Sequence, residues 1–303
     1  MKRILTVTFL TAGIAVAQSN QSLIGVPWLG WVFDAEAKAA RPITGLAMSA
    51  MLGSKADVGL SSAVGSSEGS FALGVATENG KVLIVTGSGS TELVGAKVNP
   101  LKIAMSIQGQ VAALYFEEVN TVQVFEGLPS SPRLVRELNI ASAPIALAVD
   151  DAATVVLASD ENGLYSYGAE QGKQLVLAGG SIASVGFFGG SKDVLAVNDG
   201  KVVMVRDGVP TTAEDSETDA VKATVSRDGK SLVALLKEGG VLVRDLATGT
   251  SRFLRCYCTP NDLGRMHGNA VFRLNGPEDG TMWLLNGDDE EPKLTFVATR
   301  GEN

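Results

Sequence analysis

The chain has 303 residues, of which 35 are glycine, 45% are hydrophobic and 19% are charged. This length and apolar content are enough to bury a sizeable core, which excludes intrinsic disorder, and the abundant glycine favours short strands and tight turns over charged amphipathic helices. One histidine and two cysteines exclude a mechanism with two imidazoles, a tetracysteine zinc site and a disulfide-dense scaffold.

The N-terminus has the pattern of a secretory signal. Two basic residues precede an apolar run from Ile4 to Val16, which ends in the small-residue site Ala15-Val16-Ala17. The run is too short to span a bilayer, and no other stretch is long and apolar enough for a membrane helix. We therefore expect residues 1–17 to be removed and residues 18–303 to form one exported domain, periplasmic or secreted. A hydrophobic first strand of the fold is the alternative.

The charge of the processed chain argues against nucleic acid as a partner. Loss of Lys2 and Arg3 reduces the 25 basic residues to 23, against 33 acidic ones, which leaves a formal charge of −10. An acidic protein repels phosphate backbones, and no stripe of basic residues interleaved with aromatic ones occurs in the sequence.

Turn residues recur through the chain with one period. A first set ends a short apolar strand in each unit, and a second set follows about eleven residues later. The second set consists of Asn79-Gly80, Val119-Asn120, Asn162-Gly163, Asp199-Gly200, Gly239-Gly240 and Asp279-Gly280. Its members lie 40, 43, 37, 40 and 40 residues apart, which indicates six copies of one structural unit.

Each unit consists of strands. Val194–Val197 leads through Asn198-Asp199-Gly200 into Lys201–Val205, and these β-rich runs are joined by residues that tolerate positive φ. About four short antiparallel strands in a unit of forty residues predict the blade of a β-propeller. The first strand of each unit is rich in small residues, as in Leu60–Val64, which suits the crowded wall of a central channel.

The segment before the first complete unit predicts how the ring closes. Trp28–Asp34 and Arg41-Pro42-Ile43 resemble the second half of a unit, without an evident first half. We expect these strands to complete a blade beside the C-terminal unit, because closure removes exposed edges. The prediction is an all-β fold of seven blades, and a six-bladed ring with an extra N-terminal hairpin is the alternative. Trp28 and Trp31, three apart in a strand, should point to opposite faces and be buried between blades.

One unit resembles known repeat families. Val225–Ala234 reads V-S-R-D-G-K-S-L-V-A, and Val241–Gly249 reads V-L-V-R-D-L-A-T-G. These stretches are similar to the inner hairpin and outer strand of WD-repeat and YVTN-type bacterial β-propellers. The resemblance implies a propeller over the whole mature chain, and it implies no particular activity.

Few residues are candidates for chemistry. His267 lies in a turn and is a weak candidate for a general base, although a turn histidine is more often solvated or hydrogen-bonded. Cys256 and Cys258 form a candidate disulfide, although residues two apart in a strand lie near the limit of disulfide geometry. Free or intermolecular thiols and metal or redox chemistry remain alternatives.

The acidic runs Glu214–Glu217 and Gly287–Glu291 lack the spacing of a calcium loop and are expected to be solvated. We therefore predict no catalytic residues, no metal site and no cofactor.

Two functions follow from these patterns. The first is an exported, monomeric, non-catalytic β-propeller that binds a protein or cell-envelope component on one face of the ring. It is favoured because the sequence contains no complete catalytic constellation and because the small, apolar first strands offer few polar groups to the channel. The alternative is a propeller enzyme of the lactonase or lyase type that acts on a sugar-derived substrate. A cluster of polar side chains in the channel would favour this alternative.

Overall fold

The computed structural model describes residues 27–213, 219–256, 260–289 and 291–299. In this part of the chain, seven four-stranded sheets form a ring, so the protein is a seven-bladed β-propeller. The predicted all-β class, the four-stranded blades and the count of seven are confirmed. The six-bladed alternative is wrong.

The closing blade and the first three complete blades have the following strand bounds. The closing blade contains β1 (Trp28–Asp34), β2 (Ala39–Thr44) and β3 (Met51–Leu52), together with the C-terminal β28 (Ala298–Thr299). Blade 1 contains β4 (Leu60–Gly65), β5 (Phe71–Ala76), β6 (Val82–Thr86) and β7 (Gly89–Glu92). Blade 2 contains β8 (Lys102–Met105), β9 (Ala112–Phe116), β10 (Thr121–Glu126) and β11 (Arg133–Asn139). Blade 3 contains β12 (Leu147–Val149), β13 (Val155–Asp160), β14 (Gly163–Gly168) and β15 (Gly172–Ala178).

The remaining blades follow the same order. Blade 4 contains β16 (Ile182–Phe187), β17 (Val194–Asn198), β18 (Lys201–Arg206) and β19 (Val209–Thr212). Blade 5 contains β20 (Ala220–Val225), β21 (Ser231–Leu236), β22 (Gly240–Asp245) and β23 (Ser251–Arg255). Blade 6 contains β24 (Gly264–Arg265), β25 (Val271–Arg273), β26 (Trp283–Asn286) and β27 (Lys293–Phe296). Short 3-10 helices span Ala47–Ser49, Glu117–Val119 and Pro277–Asp279, and no helix in the described part of the chain is long and apolar enough to cross a membrane.

The core lies between adjacent blades. The second strands β5 and β9 are buried along their whole length, because each blade is covered by a neighbour on both faces. Phe71 and Leu73 of blade 1, for example, pack in one cluster with Leu114 and Phe125 of blade 2. This double burial explains why the strands read as continuous apolar runs.

The tight turn between β17 and β18 has the predicted chemistry. Asp199 and Gly200 have φ angles of 49° and 76°, so both central residues are left-handed. This is the backbone of a two-residue hairpin turn whose twist matches that of the flanking strands.

The two ends of the chain close the ring, as predicted. β1, β2 and β3 form an antiparallel meander, and β28 adds to β3 in parallel, with Ala298 opposite Met51 and Thr299 opposite Leu52. The backbone N–H of Val297 donates to the carbonyl of Met282 in blade 6 at 2.8 Å. The C-terminal strand therefore joins blade 6 to the N-terminal sheet.

A β-bulge in β1 corrects one prediction about the tryptophans. The pairing with β2 shifts register between Trp28 and Gly30, so Leu29 is an extra residue and the alternation of side chains is interrupted. The rings of Trp28 and Trp31 consequently lie on the same side, with centroids 5.4 Å apart. The expectation of opposite faces was wrong. The predicted burial is confirmed for Trp31 and was wrong for Trp28, which is 38% exposed.

Candidate functional site

The first strands of blades 1 to 6 surround a central cavity of about 510 Å³. Its wall includes many small residues, among them Ala63, Ala104, Ala146 and Ala223, as the sequence predicted. This volume lies within the range of pockets that bind small ligands. We call this cavity the channel.

The turns that follow the first strands hydrogen-bond to one another between blades, which shows that these strands end at the same end of the channel. Ser67 Oγ donates to the backbone carbonyl of Ile107 at 2.5 Å, and the backbone N–H of Arg227 donates to the backbone carbonyl of Asn269 at 2.8 Å. We call the end of the channel at these turns the turn end, and the opposite end the strand-start end.

The channel has a basic lining in an acidic protein. Four basic side chains line it, Lys102, Lys222, Arg265 and Arg273, against one acidic side chain, Asp262. The chain as a whole has a formal charge of −8. The expectation that the first strands offer few polar groups to the channel was therefore wrong. A cavity in which charges of one sign predominate concentrates their field and attracts ligands of the opposite charge.

The sequence does not predict this set of charged channel residues, because each of them occupies a different position in its repeat. Lys102 begins β8, Lys222 is the third residue of β20, and Arg273 lies on the second strand β25. Arg273 reaches the channel past Gly264, where an added Cβ would lie 3.0 Å from its Nη2 atom. No local motif signals such a convergence, because only closure of the ring brings the blades together.

Three of these residues form an ion-pair cluster. Asp262 precedes β24, and its Oδ1 accepts a hydrogen bond from Lys222 Nζ at 2.9 Å. Its Oδ2 accepts one from Arg273 Nη2 at 2.5 Å. Burial alone would raise the pKa of Asp262, but the charges of Arg273 and Lys222 outweigh this and lower the pKa to about 2. A carboxylate held ionised this firmly is a poor proton donor or acceptor near neutral pH.

This cluster predicts a specific loss of stability in acid. The folded pKa of about 2 lies below the ordinary 3.8, so the ionised carboxylate stabilises the fold fully above about pH 4 and loses that contribution as the pH falls toward 2. The full shift is worth about 2.5 kcal/mol, but because the side chain is 35% exposed we expect roughly 1.5 kcal/mol. Urea unfolding of wild type and Asp262→Asn at pH 5 and pH 2 measures this difference.

A surface ion pair provides the control for the acid experiment. Asp219 pairs with Lys237 at 3.3 Å in a more exposed position. Asp219→Asn should change the free energy of unfolding by less than about 0.5 kcal/mol at either pH. Equal pH dependence of wild type and Asp262→Asn would show that the cluster does not contribute.

A second basic cluster lies toward the turn end. Arg265 Nη2 donates to Thr224 Oγ1 at 2.9 Å and to the carbonyl of Val225. Arg227, in the turn after β20, donates from Nη2 to the carbonyl of Ser67 at 2.8 Å and so links blade 5 to blade 1. Burial, and next the like charge of Arg227, lower the pKa of Arg265 to about 10, with partial compensation from Asp151.

His267 lies on the seam between blades. Its backbone N–H donates to the carbonyl of Leu29 at 2.6 Å, and its ring Nδ1 lies 3.0 Å from the backbone carbonyl oxygen of Glu68. These contacts join blade 6, the closing blade and blade 1 through backbone carbonyls, which suits a structural role for this exposed histidine.

Among the described residues of the predicted cysteine pair and acidic runs, Cys256, Asp288 and Asp289 are not part of the channel lining. Cys256 is buried directly after β23, whereas Cys258 is outside the described residues, so the disulfide between them stays a prediction. The run Glu214–Glu217 is also outside them. Asp288 accepts the N–H of Ala270 at 2.5 Å, and Asp289 pairs with Lys293 at 3.6 Å, so these two carboxylates have partners within the protein.

A second cavity of about 420 Å³ lies beside the tryptophan pair, between the closing blade and the β6–β7 hairpin of blade 1. The ring of Trp28 packs on Gly87, where an added Cβ would lie 2.6 Å from it. Both tryptophans thus contribute to the seam between the closing blade and blade 1.

Comparisons with known proteins support the architecture. No protein-family profile and no curated protein sequence matches the chain. Among solved structures, it is similar to the crystal structure of a functionally unknown protein from Desulfotomaculum acetoxidans DSM 771, with a TM-score of 0.60 and 11% identity over 89% of this chain and 95% of that one. This likeness shows the fold alone, and the resemblance to WD-repeat and YVTN-type repeats stays a prediction. The chain is a seven-bladed β-propeller, and its function has to be argued from the channel.

Proposed function

We propose that the protein is an exported, non-catalytic β-propeller that binds an anionic group of a protein or cell-envelope component in its channel. The observation that carries the proposal is the excess of four basic side chains over one acidic side chain in the channel of an acidic chain. Export rests on the signal pattern of residues 1–17.

The cluster at the strand-start end supports binding. Asp262 is bonded to both Lys222 and Arg273, so it orients the two cations and neutralises only one of them. Lys102, on the first strand of blade 2, has no ion-pair partner among the described residues. Basic groups oriented in this way attract an anion and improve both encounter rate and specificity.

The second candidate is the propeller enzyme of the lactonase or lyase type. The observation that favours it is that a carboxylate and an arginine, Asp262 and Arg273, meet in the channel. The low pKa of Asp262 argues against it, because a general base works best with a pKa near the operating pH. Turnover of a lactone panel that is lost in Asp262→Asn would establish this alternative instead.

The binding proposal is tested with a labelled hexaglutamate peptide as a model for an acidic partner, and hexaglutamine as its neutral counterpart. Wild type should bind the acidic peptide, and the double variant Lys102→Gln/Lys222→Gln should bind it about tenfold more weakly, because two cations are removed. Affinity should fall further between 50 and 300 mM NaCl, since salt screens the attraction. Fluorescence anisotropy measures these affinities.

The matched control is the double variant Lys230→Gln/Lys237→Gln. Both lysines are exposed and lie in surface ion pairs on blade 5, outside the channel lining. This control variant has the same net charge as the channel variant Lys102→Gln/Lys222→Gln, and it should bind the acidic peptide as tightly as wild type does. Equal weakening of both variants, or equal binding of the neutral peptide, would contradict the proposal. N-terminal sequencing of the processed protein tests export, with Gln18 expected as the first residue.

A further inference from the structure

We infer that Arg265 and Arg227 hold an oxyanion near the turn end of the channel. The inference deepens the proposed function, because both place an anion in the channel. The inference concerns Arg265 and Arg227 instead of Lys102 and Lys222, and small anions instead of a peptide test it. The inference and the proposed function can therefore fail independently of each other.

The first argument is that two guanidinium groups that repel each other electrostatically each carry a buried donor without a partner. Arg265 Nη1 and Arg227 Nε are buried and have no hydrogen-bond partner among the described residues. A guanidinium group stays charged at physiological pH, so it cannot lower the energetic cost of burying an unpaired donor by losing a proton. A buried donor that has lost its water and found no acceptor is unfavourable, and more so when it carries charge.

The second argument is that the protein groups nearby do not supply the missing counter-charge. Among the described residues, neither arginine has a carboxylate within ion-pair distance. Asp151 is the carboxylate whose charge acts on Arg265, but its Oδ1 accepts the backbone N–H of Gln108 at 2.7 Å. The ring of Phe272 lies 5.3 Å from Arg265 Cζ and offers only a weak cation–π contact.

The third argument is that the remaining contacts orient both side chains. Arg265 is held by Thr224 and Val225, and Arg227 by the carbonyl of Ser67 in blade 1. Fixed guanidinium groups match the oxygens of carboxylate, phosphate or sulfate in paired hydrogen bonds. Repulsion between the two like charges raises the energy of the protein without a bound anion. An oxyanion that neutralises both charges relieves this repulsion, which favours binding.

The volume of the channel is large enough for a ligand bigger than an inorganic ion. Arg265 lines the channel, whose volume of about 510 Å³ exceeds that of an inorganic ion. The oxyanion is therefore the charged group of a larger ligand that enters the channel, such as a carboxylate or phosphoryl group.

The test uses inorganic and simple organic anions on the full chain without its signal segment. We expect phosphate, sulfate or acetate to raise the Tm by about 3 °C or more at millimolar concentration, whereas chloride at the same ionic strength does not. The anion with the lowest Kd in calorimetry distinguishes a phosphoryl-type from a carboxylate-type ligand. A wild-type Tm that responds equally to chloride would overturn the inference.

Two variants and a control make the result specific. Arg265→Gln should lose the oxyanion response. Its own Tm in oxyanion-free buffer is the baseline, because the substitution removes both the repulsion from Arg227 and the hydrogen bonds to Thr224 and Val225. Arg227→Lys retains the charge but loses the planar fork, and it should raise the Kd about tenfold. Arg133→Gln, at an exposed pair with Glu126, should behave like wild type. An undiminished oxyanion response in both channel variants would refute the site.

These variants also separate the two proposals. Binding of hexaglutamate that depends on Lys102 and Lys222, without any response to small oxyanions, would overturn this inference and leave the proposed function intact. An oxyanion response that depends on Arg265, without peptide binding, would support this site and contradict the broader proposal.

Discussion

Trp31→Ala should lower the free energy of unfolding by about 3–5 kcal/mol, the usual cost of truncating a buried large aromatic side chain. Trp31 is only 4% exposed and packs in one cluster with Leu60, Ala72 and Val85 of blade 1. The backbones also approach closely here, since a Cβ at Gly65 would lie 2.6 Å from the carbonyl oxygen of Trp31. A cavity at this seam cannot collapse easily, because both backbones belong to rigid sheets. Urea denaturation followed by circular dichroism measures the loss.

Trp28→Ala is the matched control for this variant. The two rings are in contact, but Trp28 is 38% exposed and loses less buried surface on truncation. We expect a loss of about 1–2 kcal/mol. Equal losses for the two variants would mean that the seam is not packed around Trp31.

Val297→Asp should destabilise the protein by about 3–5 kcal/mol, because it places a carboxylate without a partner in an apolar cluster. Val297 is 2% exposed and packs with Leu52 of the closing blade and with Met282 and Leu284 of blade 6. The substitution acts where the two chain ends meet, so it tests whether ring closure contributes to global stability. The free energy of unfolding and the rate of limited proteolysis should both report the change.

The neighbouring residue provides the control for this experiment. Phe296 precedes Val297 and is 61% exposed, so Phe296→Asp places the same charge in solvent. We expect it to cost less than about 1 kcal/mol, mostly from the lost edge-to-face contact with Trp283. Similar losses for both variants would indicate that the C-terminal strand does not stabilise the ring.

The blades could be predicted because their signals are local. Turn pairs such as Asp199-Gly200 require positive φ, and the apolar runs between the turns require burial on both faces. Both requirements recur in every unit, so the period of the turns directly reports the number of repeats. Closure by the chain ends followed from the same pattern, because an open ring would leave unpaired strand edges.

The bulge at Leu29 shows a limit of this local reasoning. The alternation rule placed Trp28 and Trp31 on opposite faces, but an extra residue in β1 brings their rings to 5.4 Å. A bulge depends on how a strand fits its partner across the sheet. The sequence of one strand does not reveal that fit.

The sequence by itself determined the fold class and the repeat, because turn chemistry and apolar runs act over a few residues and recur about every forty. It favoured seven blades over six, and the structure decided for seven. Only the tertiary structure decided the character of the channel. Lys102, Lys222, Arg265 and Arg273 come from three blades and from different positions within them, and none belongs to a recognisable motif. The ring brings these charges together around one cavity, and charges interact through space whatever their separation along the chain.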